Sequence, residues 1–129
     1  MRELLSKKDF NLIIRAIDRV WSRSLRYKEI LHSYRIVDDT PNKDGSTRKK
    51  PLYWIICDTC KGKFRAAEIQ IDHSFPVVPV YTTTWEMNID YYIQRRHCSP
   101  KDNLRPLCKP CHKVKSKYER QERKKWANK

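Results

Sequence analysis

Two stretches set the fold: CDTCKGKFRAAEIQIDHSF, from Cys57 to Phe75, and DNLRPLCKPCHKVKSK, from Asp102 to Lys117. Each holds a Cys-x-x-Cys pair, Cys57 with Cys60 and Cys108 with Cys111. Each pair offers two sulfurs from one tight knuckle, and four thiolates complete a closed tetrahedral zinc site. Between the pairs stand Asp72-His73 and Asn103, and His112 directly follows the last cysteine. The spacing therefore predicts a structural metal that pins the ends of a segment carrying harder ligands and an imidazole. A fifth cysteine, Cys98, lies beside His97 and reads as a free thiol near the surface.

Beyond the knuckles, the residues from Ala67 to Asp72 alternate, with Ala67, Ile69 and Ile71 on one side. That pattern predicts a half-buried strand ending at Asp72 and His73. Pro76 and Pro79 then take the chain out of the sheet. Thr84 is expected to cap a helix from Trp85 to Arg96, with Trp85, Ile89, Tyr92 and Ile93 facing the core. Its aromatic residues read as packing rather than as stacking partners for bases. Leu104 to Leu107 gives a short second strand, and Pro110 suits the start of a basic helix from Cys111 to about Ala127. "LYWIIC" before the first knuckle reads as a short buried strand. Gly62 is expected to relieve crowding around the sulfurs.

The N-terminal third predicts helix. Ser6 and Asp9 form a capping-box variant, and Phe10, Ile13, Ile14, Ile17, Val20 and Trp21 recur at helical spacing. Tyr27, Ile30, Leu31 and Tyr34 continue nearly in phase, as one helix or as two broken near Ser22 to Ser24. The apolar stripe serves either core packing or docking onto a second copy or another protein. Residues 38–51, DDTPNKDGSTRKKP, form the clearest linker. The organisation expected is a helical extension over 1–37, that linker, and a domain over 52–129.

The formal charge is +14, from 29 Lys and Arg against 15 Asp and Glu, which attracts polyanions and above all nucleic acid. With 39% apolar residues the core is modest, so a structural metal adds stability that burial does not supply. MRELLSKKDF has no apolar leader segment, and no stretch has the apolar length of a membrane span. A cytoplasmic chain is expected, where paired cysteines bind metal more often than they form disulfides.

The order of these residues resembles the HNH endonucleases, nucleases built on a ββα-metal motif. Their pattern runs from a Cys pair through a strand ending in Asp-His and an Asn before a second strand to Leu-Cys-x-x-Cys-His. Here CDTC, QIDH and NLRPLCKPCHKVKSK follow it over roughly Trp54 to Tyr118. Two departures are a longer gap from His73 to Asn103, and Ser116 where some members carry a further His. The resemblance implies an α+β fold, a zinc-anchored ββα-metal (HNH) core with a long N-terminal helix and a helical insertion between the two core strands. It implies Asp72 and His112 as ligands of a catalytic divalent ion and His73 as general base. Asn103 would hold the loop that carries the base, or join the metal shell. Cys57, Cys60, Cys108 and Cys111 would hold Zn²⁺, and the catalytic ion would be Mg²⁺ or Mn²⁺, with Ni²⁺ compatible with an imidazole ligand.

The activity implied is hydrolysis of DNA, most often double-stranded, by nicking or cleavage, leaving a 5′-phosphate and a 3′-hydroxyl. The chemistry suits the residues, because hydrolysis needs an activated water and neutralisation of the departing sugar oxygen. Lys113, Lys115, Lys117, Arg120, Arg123 and Lys124 would lie along phosphates, although such charge runs are usually solvated. Small chains of this family are common in phages and mobile elements, which is the expected setting. Two rival readings stay open: a non-catalytic zinc-ribbon module that binds nucleic acid, indifferent to Asp72 and His73, and a protein-interaction module using the N-terminal stripe.

Overall fold

A computed structural model describes residues 5–80 and 82–128. Residues 1–4, part of the N-terminal stretch read above, lie outside the described ones. The described chain is α+β, with four helices and two small antiparallel sheets.

Helix α1 spans Lys7–Trp21 and starts where Ser6 Oγ accepts the Asp9 N–H at 3.1 Å. The anticipated break falls at Ser24. Its hydroxyl donates to the Trp21 carbonyl at 2.7 Å and accepts the Tyr27 N–H at 3.1 Å. One side chain thus closes α1 and opens α2, Leu25–Ser33. A strand follows that sequence pattern does not predict. β1, Arg35–Asp38, pairs antiparallel with β2, Leu52–Ile56, which in turn pairs with β3, Lys63–Phe64. The linker of 38–51 is therefore the connection of a hairpin. Asp38 anchors it: the buried carboxylate accepts the Thr40 N–H at 3.0 Å and the Arg65 guanidinium at 2.8 Å. Hydrogen bonding from the Thr40 side chain, then from Arg65 and then from the Thr40 N–H, holds its carboxyl well below the usual range.

The second sheet is a two-stranded ribbon of β4, Ile69–His73, and β5, Leu104–Cys108, with Ile69 opposite Cys108 and His73 opposite Leu104. The strand expected from Ala67 starts two residues later, because Ala66–Glu68 wind into a 3₁₀ turn whose Glu68 carboxylate accepts the Arg65 N–H. Pro106 is tolerated in β5 because each strand of a ribbon keeps one free edge. Helix α4, Lys109–Ala127, follows β5 without a loop and packs back over both strands. Within the insertion, the helix expected from Trp85 begins only at Ile89. Thr83 and Glu86 close a separate 3₁₀ turn, Met87 is extended, and Asn88 Oδ1 caps α3, Ile89–His97, through the Asp90 N–H. Tyr92 is buried, whereas Ile93 is 37% exposed.

Three apolar clusters fix the arrangement. Phe10 and Ile14 of α1 pack on Val77, Met87 and Tyr92 of the insertion. Trp21 and Ile30 pack on Ile71 and Leu104 of the ribbon. Ile55, Ile69 and Leu107 pack around Cys57 and Cys108. Part of the α1 stripe is thus core within this chain, while Leu12, Ile13 and Val20 remain exposed. Tyr27 of α2 and Tyr34 at its C-cap tie the helix to the ribbon backbone: Tyr34 Oη donates to the Leu104 carbonyl at 2.6 Å, and Tyr27 Oη accepts the Ile71 N–H at 3.2 Å. No described helix is long and apolar enough to cross a membrane.

Candidate functional site

The first knuckle leaves β2 at Cys57. Its N–H donates to the Gly62 carbonyl at 2.9 Å, and the Lys61 N–H returns to the Cys57 carbonyl at 3.0 Å. This tight return places Lys61 in the left-handed region, φ 62°. A Cβ at Gly62 would stand 2.9 Å from the Phe64 ring and 3.5 Å from Cys60 Sγ. The crowding that selects glycine therefore comes from Phe64 and not, as expected, from the sulfurs, which a Cβ would meet only at ordinary contact distance. The second knuckle joins the end of β5 to the first turn of α4, and its Cys108 N–H donates to Cys57 Sγ at 3.4 Å.

All four sulfurs lie within 4.8 Å of one another, with Cys60 and Cys108 3.9 Å apart. Zinc–sulfur bonds of ~2.3 Å in a tetrahedron require sulfur separations of roughly 3.8 Å, so the donor set fits a metal ion such as zinc. Burial works against ionising Cys57, yet the N–H groups of Cys108, Cys60 and Thr59 outweigh it and bring the thiol down to about 6. Burial pushes Cys108 up, and hydrogen bonding to the Cys108 thiol pushes Cys111 up to about 12. Neighbouring thiolates repel one another, and a divalent cation removes that penalty. Cys98 is exposed and outside this group, and His97 Nε2 faces the Ile17 carbonyl.

At the other end of the ribbon the chain assembles nitrogen and oxygen groups. β4 carries Asp72 and His73 to its terminus, and α4 brings His112 over the strand. Asp72 Oδ1 lies 3.5 Å from His112 Nε2. Asp72 is only 8% exposed and is ringed by cations, with Lys115 Nζ 2.7 Å and Arg105 Nε 3.6 Å from Oδ2. His73 is 5% exposed, set against the Trp21 ring at 5.3 Å, with Nε2 2.9 Å from the Arg96 carbonyl. A carbonyl only accepts, so in the neutral ring Nε2 carries the hydrogen and Nδ1 keeps the lone pair. Burial pushes the imidazole below its ordinary range, which favours that neutral form.

Asn103 is not among the groups facing Asp72. Its carbonyl accepts the Ser74 N–H at 2.8 Å and its Oδ1 accepts the Phe75 N–H at 2.9 Å. These two bonds clamp the backbone directly after His73. The structure thus brings Asp72 and His112 together and holds the neighbouring His73 and its loop from Arg96 and Asn103.

The basic residues divide. Lys113, Lys117, Arg120 and Lys124 are exposed along α4. Lys115 instead turns inward, bridging Asp72, Glu119 Oε1 at 2.8 Å and the His73 carbonyl at 2.6 Å. Arg123 is engaged by the insertion, through the carbonyls of Val78 and Pro79. Both correct the expectation of a uniform phosphate-facing row. The i, i+4 spacing of Lys115 and Glu119 was the available signal, but a helix pair reads equally well as surface. Arg105 escapes sequence reasoning because its role depends on strand register, and the Arg96 carbonyl because a backbone group leaves no mark in sequence.

Among the described residues the four cysteines are the only group of three or more metal-ligating side chains. The Asp72–His112 pair brings one carboxylate and one imidazole together outside that group. Set against protein-family models, curated proteins and solved structures, the chain matches none.

Proposed function

We propose that this chain is a metal-dependent endonuclease of the HNH type that hydrolyses DNA phosphodiester bonds, with β4, β5 and α4 as its ββα-metal core. The observation that carries the reading is the facing of Asp72 and His112 at 3.5 Å, next in the chain to a neutral His73 fixed through Nε2.

In this reading Cys57, Cys60, Cys108 and Cys111 hold zinc and serve the fold. Asp72 and His112 hold a Mg²⁺ or Mn²⁺ ion, which when bound neutralises charge on the phosphate and the departing oxygen. His73 Nδ1 accepts the proton of the attacking water, and Asn103 keeps the loop behind it from shifting. Burial keeps His73 neutral near physiological pH, where a base must be unprotonated to act. Exposed Lys113, Lys117, Arg120 and Lys124 supply cations for the DNA backbone, and the formal charge of +14 favours capture of a polyanion.

One observation favours the second reading, a zinc-anchored nucleic-acid-binding module without catalysis. The Lys115 ammonium already neutralises Asp72 at 2.7 Å. The deciding experiment is cleavage of supercoiled plasmid by wild type and His73→Ala, with Mg²⁺, Mn²⁺, Ni²⁺ or EDTA. Metal-dependent relaxation that is lost in the variant supports the nuclease. Intact plasmid under every condition, retarded by bound protein, supports the binding module.

A further inference from the structure

Beside the clamped loop lies an open groove of about 860 Å³ that the proposed chemistry does not use, bordered by Ser74, Phe75, Tyr91, Arg95 and Asn103. Phe75 is 76% exposed, more than any other large hydrophobic residue described, and Tyr91 of α3 is 51% exposed. An apolar ring left in water at such a fixed position is unfavourable for the free protein. Neither ring hangs on loose chain. Asn103 Oδ1 holds the Phe75 backbone at 2.9 Å. Arg95 donates to the Pro76 and Val77 carbonyls, each at 2.7 Å, and to Tyr91 Oη at 3.2 Å, which joins the loop to the helix. Phe75 is two residues beyond His73, so its Cα lies within roughly 7 Å of that of the base. That is the scale of the step from a phosphate to its neighbouring nucleotide.

We propose that Phe75, with Tyr91 across the groove, is a stacking platform for one unpaired nucleobase next to the phosphate held at Asp72 and His112. The substrate class is then nucleic acid with an unstacked base, such as a gap, bulge, flap or single strand, rather than uninterrupted duplex. The inference rests on the reading of the Asp72–His112 end as a phosphodiester site. Its physical basis is general. Every base has a π-face, so stacking on an aromatic ring is strong and indifferent to sequence, whereas a base inside a duplex has both faces covered. The strand's charge matches the basic chain, and the rings take the apolar remainder of the nucleotide. Nothing in the groove reads a base edge, so no sequence preference follows.

The test uses full-length protein carrying His73→Ala, so that binding is read without turnover. The probes are a short single strand and a bulged duplex, each with 2-aminopurine at the unpaired position, and the same duplex fully paired. Binding should quench the fluorophore in the first two. Adding Phe75→Ala should weaken them about tenfold, leave paired duplex nearly unchanged, and Phe75→Trp should restore both quenching and affinity. Because Phe75 is exposed, its truncation leaves the fold standing. Equal losses on all three probes, no loss on any, or a concentration-dependent self-association that Phe75→Ala abolishes would overturn the platform. Parallel cleavage assays with the native His73 in place separate the two readings. Cleavage without quenching sinks the platform alone, and quenching without cleavage under any metal sinks the endonuclease alone.

Discussion

The two ends of the β4–β5 ribbon hold opposite kinds of site. At one end, four sulfurs come in two sequence-local pairs, wrapped by Ile55, Ile69 and Leu107. Each pair is built by a knuckle of a few residues, and packing of β2 against the ribbon joins the two pairs. At the other end, Asp72 and His73 of β4 are joined by Asn103 from the turn before β5 and by His112 of α4. They are held by partners as remote as Trp21, Arg96 and Lys115. The sulfur end suits a metal that closes the structure. The Asp–His end sets a carboxylate and an imidazole 3.5 Å apart, with no closed donor set among the described residues. A site can thus be stable because it is local, or adaptable because it is assembled, and one ribbon can carry both.

The largest test of the contrast is Cys108→Ser. Loss of one thiolate should release the metal and unfold the chain, since binding to a structural site of this kind is worth ~10–16 kcal/mol in small domains. Metal analysis and far-ultraviolet circular dichroism check it. A folded, metal-free variant would undo the contrast at its stronger end. Next comes His73→Ala, expected to keep the folded spectrum while cleavage falls ~100- to 10,000-fold. Unfolding instead would make the assembled end structural too.

A smaller effect is expected at Lys115. Replacing it with Met removes an ammonium 2.7 Å from Asp72, so Mn²⁺ should bind on the order of tenfold more tightly, as expected for one nearby charge. Titration followed by electron paramagnetic resonance reads this, and unchanged affinity would mean that the ion does not use Asp72. The smallest concerns the hairpin behind the first knuckle. The lowered carboxyl of Asp38 contributes stability that is present above the ordinary carboxylate range and lost as pH falls through its folded value. Asp38→Asn should therefore be less stable than wild type at neutral pH, with the two denaturation curves converging in strong acid. A gap that persists in acid would assign the anchor to packing rather than to charge.

Much of the backbone plan is legible in the order of residues. The Ser6 cap and the break at Ser24 follow from hydroxyls that compete for backbone N–H groups, and the strand ending in Asp72-His73 from its alternating apolar residues, although both of its faces are covered rather than one. What escapes are features without a local signature. RIVD forms a strand only because β2 is there to pair with it. Trp85 does not start a helix because Thr83 and Glu86 satisfy each other first. In the candidate site, residue types and order are readable but their couplings are not. Lys115 resembles its exposed neighbours in type, and Asn103 reads locally as a turn residue although its bonds to Ser74 and Phe75 clamp the loop.

The sulfur donors, the α+β pattern and the strong positive charge were written in the amino-acid order, because they depend on residue chemistry and short spacing. Three facts needed the folded chain: Asp72 meets His112, the Arg96 carbonyl sets the His73 tautomer, and Lys115 turns inward. They depend on register, on helix crossing and on which side chain reaches a buried carboxylate first. Contacts between distant segments set them, and no window of sequence contains both partners.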